Sequence, residues 1–85
     1  MFARKIRVEY EVNGRKLPCP LNWLDRFSMR NFTNATVFDD TVPLADGQME
    51  IGSHLPLDQL KDAMEDWFLR KGDLPKDSHL SVVEN

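Results

Sequence analysis

The chain has 85 residues, 41% of them hydrophobic and 29% charged, a globular composition too short for two independent cores, so one domain spanning 1–85 is expected. A single cysteine, Cys19, excludes an intramolecular disulfide, and His54 and His79, distant from each other and from Cys19, argue against a four-ligand zinc site. The net charge of −3 is unevenly spread: residues 1–30 carry seven basic and three acidic side chains, residues 31–85 four basic and eleven acidic. Such polarity steers encounters with charged partners more than it determines the fold.

The N-terminal residues contain no apolar run of signal-peptide or membrane-spanning length, so a cytoplasmic protein without a membrane partner is expected. From Arg4 to Val12 apolar and polar residues alternate, with Ile6, Val8, Tyr10 and Val12 on one side and Lys5, Arg7, Glu9 and Glu11 on the other. This is the pattern of a half-buried strand. Asn13-Gly14 then predicts a two-residue type I′ hairpin, because both central positions need positive φ. The implied register sets Val12 opposite Arg15, Glu11 opposite Lys16, Tyr10 opposite Leu17 and Val8 opposite Cys19, with Leu17, Cys19 and Leu21 on the apolar face. It also sets Pro18 and Pro20 opposite Glu9 and Arg7 at non-hydrogen-bonded pairs, so the second strand forms a proline-blocked edge.

Asn22 is a candidate cap for a short helix from Trp23 to about Arg30, burying Trp23, Leu24 and Phe27. Residues 33–53 read as irregular β structure: Ala35–Phe38 as a strand, Asp39-Asp40 as a turn, and a hairpin around Asp46-Gly47. In that hairpin Val42 and Leu44 face Met49 and Ile51, and Pro43 stands opposite Glu50. The clearest element is a helix from about Pro56 to Lys71, with proline in the first turn, Gly72 as terminator, and Leu57, Leu60, Met64, Trp67 and Phe68 as one apolar stripe. Asp73–Ser78 reads as a loop and Leu80–Val83 as a last short strand. The expected fold is therefore α+β: a small, mostly antiparallel sheet with an N-terminal β-hairpin, a short helix, and one longer amphipathic helix packed on it.

No catalytic, metal or cofactor signature stands out, and the expectation is a protein that is not an enzyme and needs no cofactor. Cys19 is the one candidate nucleophile, yet the hairpin register turns it toward the core, where cysteine behaves as a small hydrophobe. Asp39-Asp40 lack the spaced oxygen ligands and glycine of a calcium loop. The basic residues Arg4, Lys5, Arg7, Arg15 and Lys16 suggest a nucleic-acid surface, but Glu9 and Glu11 share the outer face with them. On the long helix Asp58, Asp62 and Glu65 align at i, i+4 and i+7, and Leu69 continues the line away from the apolar stripe. That acidic ridge is the candidate docking surface for another protein with a basic surface, and an inhibitor from a phage or mobile element acting on a nucleic-acid-handling complex is the specific expectation. A nucleic-acid binder using the basic hairpin, and a structural subunit or homodimer, are the alternatives.

Overall fold

The structure, a computed structural model, describes residues 3–31, 39–52 and 55–85. In chain order the elements are β1 (Ala3–Val12), β2 (Arg15–Pro18), α1 (Leu21–Asn31), β3 (Asp39–Ala45), β4 (Gln48–Gly52), α2 (Leu57–Lys71) and β5 (His79–Glu84). The expected α+β architecture is present among the described residues, with five antiparallel strands, an N-terminal hairpin and two helices. The expected strand at Ala35–Phe38 lies outside the described residues apart from the boundary that follows it. There Asp39 and Asp40 open β3 instead of forming a turn, because Asp39 pairs with Gly52.

β1 is the centre of the sheet. Along one edge it pairs with β5, from Ile6↔Glu84 to Glu11↔His79. Along the other edge its first half pairs with β4 and its second half with β2, and β3 lies outside β4. The alternation along β1 is realised as read, with Ile6 and Val8 buried and Lys5, Arg7 and Glu11 exposed. Asn13 at φ 54° and Gly14 at φ 76° make the turn, and the register from Val12↔Arg15 to Glu9↔Pro18 follows from its two-residue length.

The second strand stops at Pro18, and this corrects the expectation that pairing runs on through Pro20 and carries Leu21 onto the apolar face. At Val8 the edge of β1 changes partner. The Val8 carbonyl accepts the Cys19 N–H at 3.0 Å, while the Val8 N–H donates to the Gly47 carbonyl at 2.8 Å. Gly47 N–H donates in turn to the Cys19 carbonyl at 2.7 Å. The hairpin of β3 and β4 thus takes the place beside Arg7 that an extended β2 was expected to fill, and Arg7 pairs with Gln48. Gly47 fits this junction because a Cβ on it would stand 2.7 Å from Cβ of Pro18.

Released from the sheet, the chain enters α1 at Leu21, two residues before the expected start, with Trp23 and Leu24 N–H groups turned to the Pro20 carbonyl. The cap comes from Asp46, whose Oδ1 accepts the Leu21 N–H at 2.7 Å. Side chains of Ser28 and Thr41 tie α1 to β3, 2.8 Å apart between hydroxyl oxygens. The β3–β4 hairpin also departs from the expected register: beyond Ala45↔Gln48 the pairs are Pro43↔Met49 and Val42↔Glu50. The bulge at Leu44 shifts the strand by one residue, removes Pro43 from its place opposite Glu50, and leaves Val42 and Leu44 45% and 46% exposed instead of facing the core.

Both helices cover the same face of the sheet. Leu24 and Phe27 of α1 and Leu60, Met64 and Phe68 of α2 pack on Ile6, Val8, Met49, Ile51, Leu80 and Val82, with Cys19 and Leu74 closing the core. Rings join the layers: Tyr10 lies 5.0 Å from Trp23, Trp23 lies 6.0 Å from Phe68, and Phe27 meets Trp67 edge-on at 5.3 Å. Gly72 ends α2, its N–H donating to the Leu69 carbonyl, and an Arg26–Asp73 ion pair fastens the following loop to α1. The opposite face of the sheet is bare of described elements.

Candidate functional site

The residues singled out in the sequence do not share one place: Cys19 lies in the core, Asp58, Asp62 and Leu69 on the outer side of α2, and Lys5, Arg7 and Lys16 on the bare face of the sheet. Cys19 is fully buried, and burial, with the Glu9 charge adding to it, pushes its thiol up to about 12. A thiol held so far from the thiolate is a packing group at neutral pH. Among the described residues no three His, Cys, Asp or Glu side chains cluster as metal ligands, and His79 stands at the surface with its side chain 77% exposed. His54 and the side chains of Asp39 and Asp40 lie outside the described residues.

The acidic residues of α2 separate into two roles. Asp58 and Asp62 project outward, Asp62 with its side chain 75% exposed, and Leu69 stands 37% exposed on the same side of the helix. Glu65 turns the other way. Its carboxylate receives Lys61 Nζ at 2.6 Å, the backbone N–H of Leu80 at 3.4 Å and His79 Nδ1 at 3.4 Å, and only 14% of the side chain is exposed. Burial opposes its charged form, but the hydrogen bonds from Lys61 and Leu80 and the Lys61 charge outweigh that penalty and hold the carboxyl below its ordinary value. The same contact raises Lys61, first through its hydrogen bond to Glu65. Glu65 therefore clasps the outer edge of β5 to α2, satisfying an N–H that β1 cannot reach.

Asp66 takes the place on the outer line that the sequence reading gave to Glu65. Its side chain is 67% exposed and pairs with Arg70 at 3.0 Å. The strict four-residue repeat Asp58, Asp62, Asp66 was the signal for it, since residues at i and i+4 stand one above the other on a helix. The outer surface of α2 is thus a line of three carboxylates followed by a half-exposed leucine.

The five basic residues of the N-terminal hairpin do not come together. Arg4 lies at the margin of the core side, where its guanidinium donates to the Leu55 carbonyl at 2.6 Å and to Glu84 at 3.0 Å. Arg15 pairs with Val12 and so projects toward the helix side of the sheet. Lys5, Arg7 and Lys16 share the bare face, each beside a carboxylate: Glu50 opposite Lys5, Glu9 at 3.9 Å from Arg7, and Glu11 opposite Lys16. A phosphate backbone approaching that face meets as many carboxylates as cations, and Tyr10, the hairpin's aromatic, packs under Trp23 on the other side.

No protein-family model, curated protein or solved structure matches this chain. Among the described residues no helix is long and apolar enough to cross a membrane.

Proposed function

We propose that this chain is a small non-catalytic protein-interaction domain that docks the outer side of α2 on a basic surface of another protein. The observation that carries the reading is the line Asp58, Asp62 and Asp66 ending at the half-exposed Leu69. The helix dipole accounts for Asp58 in the first turn and the Arg70 pair for Asp66. Asp62 lies beyond the first turn, and its contact is Lys61 at 3.5 Å, which holds Glu65 more closely. Stacked like charges cost a helix a few tenths of a kcal/mol per pair, roughly 0.2–0.5. An apolar anchor beside a charged rim suits a protein partner, where the leucine is desolvated and the carboxylates choose a cationic groove.

Such a groove is what a nucleic-acid-handling complex presents to phosphates, so an inhibitor of the kind encoded by phages and mobile elements is the specific form of this reading. The test is affinity capture on the tagged full chain, with nuclease treatment, comparing wild type with Asp58→Lys/Asp62→Lys. A stoichiometric protein retained by wild type and lost by the variant, with unchanged circular dichroism, is the expected result. Equal retention by the folded variant removes α2 as the docking surface, and nucleic acid recovered in place of protein removes the reading.

A further inference from the structure

The bare face of the sheet carries six side chains of fixed charge among the described residues: Lys5, Arg7, Glu9 and Glu11 on β1, Glu50 on β4 and Lys16 on β2. Their positions are set by register. Lys5 stands opposite Glu50 and Glu11 opposite Lys16, while β4 and β2 follow one another along the same edge of β1. A two-fold axis lying in the plane of the sheet, perpendicular to the strands and passing between Arg7 and Glu9, therefore exchanges Lys5 with Glu11, Arg7 with Glu9, and Glu50 with Lys16. Every exchange joins opposite charges. The uncharged positions are exchanged among themselves, Val83 with Ser81 and Gln48 with Pro18.

We propose that this face is a homodimer interface, with a second copy laid over it about that axis and the two β1 strands antiparallel across it. Lys5 then meets Glu11 of the second copy, Arg7 meets its Glu9, and Glu50 meets its Lys16, each pair occurring twice as two-fold symmetry requires. The orientation is selected by charge, because an axis parallel to the strands would set Lys5 over Lys5 and Glu9 over Glu9. Opposite charges paired across strands also steady a lone sheet, and register gives Lys5 and Glu50, and Glu11 and Lys16, such a cross-strand neighbour. Arg7 and Glu9 have no such neighbour: Arg7 is flanked by Gln48 and Val83, Glu9 by Pro18 and Ser81. These two, at the centre of the face, touch each other along the strand at 3.9 Å, and the second copy gives each a counter-charge. The helices lie on the other side of the molecule, so the dimer leaves the outer side of α2 open.

Analytical ultracentrifugation of the full chain and two single substitutions, Arg7→Glu and Glu9→Arg, tests this. Wild type is expected as a dimer at about 1 mM protein, the range of a weak association held by solvent-exposed ion pairs. It should dissociate between about 0.01 M and about 1 M salt, as the screening length falls from about 30 to about 3 Å. Each variant alone sets like charges over like and is expected to be a monomer. Mixed in equal amounts they restore both central contacts, and a heterodimer is expected. A monomeric wild type at low salt, a dimer that survives high salt, a variant that dimerises alone like wild type, or a mixture that stays monomeric each overturns the proposal. Should either variant lose its circular dichroism signal, the single substitutions Lys5→Glu and Glu11→Lys, each alone and then mixed, apply the same logic at the outer contacts.

Discussion

Replacing Gly47 by alanine strikes the point where β2, β1 and β4 meet. Gly47 has φ 73°, and its N–H and carbonyl are held by Cys19 and Val8 at 2.7 and 2.8 Å, so the backbone cannot rotate to relieve a side chain. An alanine there bears the left-handed penalty of about 1–2 kcal/mol. Its Cβ would also stand 2.7 Å from Pro18 Cβ and 3.2 Å from the Val8 carbonyl oxygen. Pro18 is a ring fixed to the backbone and cannot swing aside, so the contact adds an overpacking cost of about 1–3 kcal/mol. The expected loss is about 2–5 kcal/mol, a large share of the roughly 4–13 kcal/mol that a chain of this length has in total. Gly14 is the internal control. Its φ is 76°, yet an added Cβ meets nothing within 4 Å, so Gly14→Ala carries the conformational penalty alone. Urea unfolding followed by the fluorescence of Trp23 and Trp67 measures both. Gly47→Ala should exceed Gly14→Ala by at least about 1 kcal/mol, and equal losses would refute the packing argument at the junction.

Two further outcomes follow from contacts between elements. Glu65 has its folded-state value lowered, so its contribution is fully present above the ordinary carboxylate value of about 4.3 and disappears as pH falls through the lower folded value. Stability measured between about pH 6 and pH 3 should fall less in Glu65→Gln than in wild type. At neutral pH the variant should be weaker by about 1–2 kcal/mol, and a variant that follows the wild-type acid profile would show that the clasp contributes nothing. For α1, Asp46→Ala is expected to cost about 1 kcal/mol and to speed exchange of the Leu21 amide, while Asn22→Ala costs under about 0.5 kcal/mol. The reverse ranking would return the cap to Asn22.

Alternation and turn chemistry determined the N-terminal hairpin, because a period of two and an Asn-Gly pair leave one register open to the chain. The apolar stripe, Pro56 and the terminal glycine determined α2 in the same local way, with Pro56 standing at the cap and the helix starting one residue later than expected. Local signals failed where a distant segment supplied the partner. β2 ends early because Gly47, 28 residues after Cys19, takes the next place beside β1. The cap of α1 comes from Asp46, which no pattern around Leu21 announces. The bulge at Leu44 turns Val42 outward through a shift in pairing with β4 that alternation within β3 cannot reveal.

The candidate surfaces divide along the same line. Helical spacing alone puts Asp58, Asp62 and Leu69 on the outer side of α2, and composition alone gives the basic hairpin its carboxylates. Only the tertiary structure turns Glu65 inward, because the edge of β5 that it clasps is brought to α2 by pairing with β1 across the whole chain. Only the sheet sets Glu50 opposite Lys5, 45 positions away, and this pair together with the hairpin's own Glu11 and Lys16 makes the two-fold charge pattern. Spacing within an element is fixed by backbone geometry and can be read from the sequence. Proximity between elements is fixed by which edges and faces find each other, and that is settled by packing.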